Sequence, residues 1–122
     1  MAAFNWIVFD GTCPKCRTSA TLRAQCHIAS SFDGEDGKRF CNGEYRLGER
    51  MPWWPIGHPR WRDWVTSGRR VALEADTAQE CCYTECRNCG ADLYAVIEFA
   101  SLSPRKIVDT GLEEDWPADF EK

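Results

Sequence analysis

The sequence has no apolar run approaching the roughly 18 residues that cross a bilayer as a helix. Residues 1–10, MAAFNWIVFD, lack the basic opening of a secretory leader, and their short apolar stretch is interrupted by Asn5. A membrane partner and an exported form are therefore not expected, and a reducing cytoplasm is. Also missing are a Gly-rich phosphate loop, a His-Glu metal helix and a nucleophile elbow. Without them a non-enzymatic role is expected, and no catalytic residue is assigned. Glu113 and Glu114 lie in a charged tail, where solvation is the ordinary fate of carboxylates. Asp63 beside Trp64 and Glu44 beside Tyr45 are general-base candidates for which the sequence supplies no pocket. No internal repeat or low-complexity segment is present beyond a cluster of Trp and Pro.

What the chain does have is cysteine, eight in 122 residues. In a secreted domain that count would read as disulfides, but in a reducing compartment Cys-x-x-Cys pairs serve metals or redox chemistry. Two such pairs occur, Cys13-Pro14-Lys15-Cys16 and Cys86-Arg87-Asn88-Cys89-Gly90. A thioredoxin-like site needs only one pair, at the start of a helix, so two pairs favour a metal. A two-residue gap lets both sulfurs of a turn face one ion, and four thiolates fill a tetrahedral zinc ion at roughly 2.3 Å. Catalytic zinc usually keeps an open position and three protein ligands, so a closed sulfur set predicts a structural ion. Gly90 suits a positive φ that turns backbone amides toward the sulfurs. A chain of this length fills one domain with a modest core, and structural zinc adds roughly 10 to 16 kcal/mol of apparent binding free energy. Iron in a rubredoxin-like site is the alternative metal for four thiolates.

Along the chain, Phe4 to Phe9 predicts a strand running into the first metal turn. Leu22, Ala24, Cys26 and Ile28 alternate with Thr21, Arg23, Gln25 and His27, which predicts the return strand of a hairpin. SSFDGEDGK, residues 30–38, predicts a loop. Residues 40–49 supply one short strand. In MPWWPIGHPRWRDWV, residues 51–65, proline excludes long regular structure from the first half. A short helix is expected from Pro59, with Trp61, Trp64 and Val65 on one face and a stop at Gly68. Val71, Leu73 and Ala75 alternate as a strand, Cys81 to Thr84 leads into the second metal turn, and 93–99 with 106–109 form a hairpin. The tail from Leu112 is acidic, with Trp116 and Phe120 available to dock it.

At its two Cys-x-x-Cys turns the chain resembles the zinc ribbon family, and in particular small bacterial proteins with a β-rich insertion between the knuckles. The resemblance implies a mostly β fold of antiparallel hairpins with at most one short helix, and one structural Zn2+ on Cys13, Cys16, Cys86 and Cys89. It divides the single domain 1–122 into ribbon halves 4–28 and 81–109, a central insertion 29–80 and an acidic tail 112–122. The family pattern often has Gly after the first pair, where this chain has Arg17, so a less regular first turn is expected.

Other cysteines and histidines are weaker candidates. Cys81 and Cys82 would point to opposite sides of a strand, so at most one can face the metal. The expectation is one small buried residue and one near the surface. Cys26, His27, Cys41 and His58 have no ligand spacing, and a packed thiol and surface imidazoles are expected.

Net charge is −4, distributed as −1 over 1–37, +5 over 38–70 and −8 over 71–122. Such asymmetry marks a binding face, or the blocks neutralise each other in the fold. Within the basic block, Trp53, Trp54, Arg60, Trp61, Arg62 and Trp64 combine large area with planar hydrogen bonding, the profile of interface anchors. Core packing is the bland reading of the tryptophans. The functional expectation is a zinc-stabilised binding or regulatory protein whose insertion contacts a protein partner. The alternative is a nucleic-acid-binding ribbon acting in transcription or translation, in which the same residues stack bases and meet phosphates.

Overall fold

The structure, a computed structural model, describes residues 5–26, 43–51, 59, 70–74, 77–100 and 103–120. The loop expected over 30–38, most of the helix expected from Pro59 and the residues His27, Cys41, His58 and Asp63 lie outside them. Seven strands follow in order: β1 (Asn5–Thr12), β2 (Ser19–Cys26), β3 (Glu44–Arg46), β4 (Arg70–Glu74), β5 (Thr77–Glu85), β6 (Asp92–Ala100) and β7 (Ser103–Leu112). A single 3-10 turn, Glu113–Asp115, ends the series. The fold is mostly β, as expected.

The strands form one sheet in the order β3-β1-β2-β5-β6-β7, with β4 paired to β5 outside this path. Among the described residues all pairings are antiparallel except one: β3 runs parallel to β1, with Ile7 opposite Tyr45. The hairpin expectation does not contain this pairing. Its cause lies in Asn5, which is fully buried. The Asn5 side-chain oxygen accepts from the Gly43 amide at 3.0 Å while the Trp6 amide donates to the Gly43 carbonyl at 2.8 Å. A polar residue that interrupts the apolar run thus fixes where the third strand docks.

Just beyond β3, the Gly48 amide donates to the Pro104 carbonyl of β7 at 2.7 Å. The two outermost strands of the ladder therefore meet through this contact, and the sheet curls around its core face. Ile7 and Phe9, Leu22, Ala24 and Cys26, Ala78 and Cys82, and Ala95, Ile97 and Phe99 fill the interior from four strands, with Met51 added from the segment after β3. Every second residue of these four strands points inward, which is the alternation that the sequence shows. Glu80 shares this face at zero exposure, and the Cys82 thiol donates to its carboxylate at 3.5 Å.

The outer face of β5 and β6 carries a second layer. Cys81, Tyr94 and Val96 are covered by Phe120, and Trp116 packs on them edge-on to Tyr94 with ring centroids 6.2 Å apart. The Trp116 indole N–H donates to the Phe120 carbonyl at 3.1 Å, so the acidic tail folds back as a small closed turn. Burying a phenylalanine side chain stabilises such a docked segment by about 2 to 3 kcal/mol. Tyr94 lies across Gly111, where a Cβ would come within 2.5 Å of the ring, and its hydroxyl donates to Asp109 at 2.9 Å. On the same strand Glu98 is buried beneath Arg105 and Lys106, and the Arg105 hydrogen bond holds its carboxyl below the usual carboxylate range.

The expectation of one surface cysteine at positions 81 and 82 is corrected: both are buried, on opposite faces, because the tail covers the outer one. Burial, then the charges of Glu80 and Asp109, pushes Cys81 up to about 12. Cys82 is raised by its burial and by Glu80. Both thiols keep protons that the unfolded chain releases near the ordinary value of 9.0. The contribution of Cys81 is complete below that pH and is lost as pH rises toward 12, at about 1.4 kcal/mol per pH unit, and that of Cys82 falls over the same rise. Denaturant titrations should show stability falling between pH 9 and 12, with a slope shallower by about that amount per unit in Cys81→Ala. An unchanged slope would refute the assignment.

Candidate metal centre

Each Cys-x-x-Cys turn sits at the tip of a hairpin. The first lies beyond the pair Thr12–Ser19 that ends β1 and β2, and the second beyond the pair Glu85–Asp92 that ends β5 and β6. Because β2 and β5 are antiparallel neighbours through Gln25 and Tyr83, both tips point the same way and come together.

The two turns are built alike. In each, the first cysteine's amide donates to a carbonyl five residues on, Cys13 to Thr18 at 3.1 Å and Cys86 to Ala91 at 3.0 Å. In each, an amide four residues on closes back to the first cysteine's carbonyl, Arg17 to Cys13 at 2.8 Å and Gly90 to Cys86 at 2.7 Å. The closing residue has positive φ in both, 59° at Arg17 and 75° at Gly90. The less regular first turn expected from Arg17 is thus not found: arginine adopts the left-handed conformation that glycine supplies in the second turn. The knuckle needs that backbone state whatever residue occupies it.

All four sulfurs lie within 4.8 Å of one another. Cys13 Sγ is 3.8 Å from Cys89 Sγ, and Cys16 Sγ is 3.8 Å from Cys86 Sγ. A tetrahedron of sulfurs about 2.3 Å from a central ion has edges of about 3.8 Å, so the spacing fits a thiolate-bound metal. It is far too long for a disulfide, which is about 2.05 Å. Cys13 and Cys86 are fully buried against Ala91, Leu93 and Leu112, whereas Cys16 is half-buried and Cys89 exposed. The set can therefore hold a metal ion at the rim of the sheet with two sulfurs anchored in apolar packing. The other described cysteines, Cys26, Cys81 and Cys82, are remote from it in the strand interiors.

Donors surround the sulfurs. The amides of Lys15 and Cys16 point to Cys13 Sγ at 3.4 and 3.5 Å. Asn88 Nδ2 reaches across from the second turn to Cys16 Sγ at 3.5 Å and to Thr18 Oγ1 at 3.4 Å. Asn88, with the Thr18 amide, lowers Cys16 to about 6, and the Cys16 amide lowers Cys13. At Cys89 the Ala91 amide pulls down, but desolvation and hydrogen bonds with the Cys86, Cys13 and Cys16 sulfurs outweigh it and push the thiol up to about 11. Without a cation Cys89 keeps its proton at neutral pH, so loading a divalent metal releases it. Asn88 was not singled out in the sequence; its only signal was its place inside the second pair.

The predicted ligands Cys13, Cys16, Cys86 and Cys89 are brought together. Trp53, Trp54, Arg60, Trp61, Arg62 and Trp64 lie outside the described residues. No helix of the described chain is long and apolar enough to cross a membrane. Glu44 is ion-paired with Arg23. The chain matches no protein-family model, no curated protein and no solved structure.

The shared backbone state gives a paired test. A Cβ at Gly90 meets no atom within 4 Å, so the cost of Gly90→Ala is conformational alone, about 1 kcal/mol. Arg17→Gly should be neutral or stabilising by up to about 1 kcal/mol. Chemical denaturation of the metal-loaded protein reads both. Destabilisation by Arg17→Gly as large as that by Gly90→Ala would contradict the equivalence of the turns.

Proposed function

We propose that the protein is a zinc-ribbon-like binding or regulatory protein of the cytoplasm, in which one structural zinc on Cys13, Cys16, Cys86 and Cys89 clamps the sheet and the central insertion contacts a protein partner. The observation that carries the reading is the closed sulfur set: four ligands at tetrahedral spacing leave no position for substrate or water. Such an ion holds structure, and the chemistry of recognition falls to side chains elsewhere. The insertion between β3 and β4 carries Trp53, Trp54, Arg60, Trp61, Arg62 and Trp64, residues of the kinds that dominate interface energies. The acidic chain, at −4, favours a protein over a polyanion as the partner of this segment.

Zinc, colourless and present once per chain, is the expected metal; a red protein that bleaches on reduction would mean iron. Cys86→Ser should lose the metal and the native thermal transition together. Affinity capture from the native host should recover a partner with wild type and not with Trp61→Ala at equal folded concentration. Identical recovery with both would assign that tryptophan to the core.

A further inference from the structure

On the outer face of the sheet, away from the tail, β1, β2 and β5 border a cleft of about 190 Å³ lined by Trp6, Arg23, Gln25, Tyr83, Glu85 and Arg87. Register puts Trp6, Gln25 and Tyr83 in one row across the three strands. Arg87 reaches the same cleft from the second knuckle, so the metal turn forms one wall.

We propose that this cleft binds a guanine base, carried by a free nucleoside or nucleotide or by an unpaired position in a single strand. Four observations lead there. First, the volume lies below the roughly 300 Å³ at which pockets take drug-sized ligands, so the site takes one planar group. Second, the walls offer stacking surfaces: the Arg23 guanidinium lies 4.2 Å from the Trp6 ring centroid, and Tyr83 is held by its 2.6 Å hydrogen bond to Asp92. Bases stack on aromatic rings and on guanidinium planes alike.

Third, the lining bears both donors and acceptors with little net charge. Arg23 is already paired with Glu44, and Arg87 faces a cleft that also contains Glu85. A carboxylate or phosphate alone would meet Glu85 unfavourably, and an aromatic side chain would leave the polar groups unpaired. Fourth, Arg87 and Glu85 lie two residues apart and both line the cleft, so a donor fork and an acceptor border the same space. A guanine edge answers all of these: O6 and N7 accept from Arg87, while N1–H and the N2 amine donate to a carboxylate such as Glu85. Gln25 can do either. This site goes beyond the partner-binding reading, from which it differs in surface and in ligand.

Isothermal titration of the metal-loaded full chain tests it, with guanosine, guanosine monophosphate, adenosine and uridine as probes. Guanosine should bind with a dissociation constant on the order of 0.1 mM, the affinity that ligand efficiencies of drug-sized molecules give for about twenty non-hydrogen atoms. Adenosine and uridine should bind at least about tenfold more weakly. Glu85→Gln, an exposed change at a strand end, should weaken guanosine about tenfold and leave adenosine unchanged; Arg87→Ala should weaken it similarly. A short single strand containing one guanine that binds more tightly than the nucleotide identifies a strand as the source, and equal affinity identifies the free nucleotide. No heat with guanosine at millimolar concentration, or equal affinity for all three nucleosides, would overturn the proposal.

Discussion

Among the described residues the backbone register between β2 and β5 is set by one pair, Gln25 with Tyr83, and toward the hairpin tips a side-chain bond runs from the Thr84 hydroxyl to the Arg23 carbonyl at 2.8 Å. By contrast, β1 with β2 and β5 with β6 are paired along their whole length. Two well-knit hairpin units thus lie side by side, and at their tips four sulfurs come together. A metal held by Cys13, Cys16, Cys86 and Cys89 would clamp the two units at that end. A structural zinc there would be worth roughly 10 to 16 kcal/mol of apparent binding free energy, comparable with the whole net stability of a domain, and would couple the ion and the sheet in stability.

The coupling explains the form of the turns. Two chemically different sequences, CPKCR and CRNCG, are bent into one hydrogen-bond pattern because each must aim two sulfurs and their neighbouring amides at a single point. The arginine at position 17 accepts a left-handed backbone to satisfy it. Asn88 adds a bond between the turns, so the second knuckle stabilises sulfur charge in the first.

Much of this was legible in the sequence. Two Cys-x-x-Cys turns far apart announced a shared four-sulfur site, and the period-two run from Leu22 to Cys26 announced the strand that returns from the first. Alternation reveals which residues share a side, but not what covers that side. Cys81 is buried because Phe120, nearly forty residues later, folds over it, and no local pattern at Cys81 carries that information. The parallel docking of β3 was hidden for the same reason: Asn5 looked like a break in an apolar strand and is a buried acceptor for a backbone amide from the far side of a long connection. Glu80, polar within a core face, is a further departure from the alternation that only the three-dimensional packing displays.

The proposed structural role requires one ion with four sulfur ligands at the hairpin tips. X-ray absorption at the metal edge of the purified protein tests it most directly. One ion per chain is expected, with a zinc edge and a single shell of four sulfurs at about 2.3 Å. A shell containing nitrogen or oxygen, or a protein without metal whose four cysteines are oxidised in pairs, would contradict it.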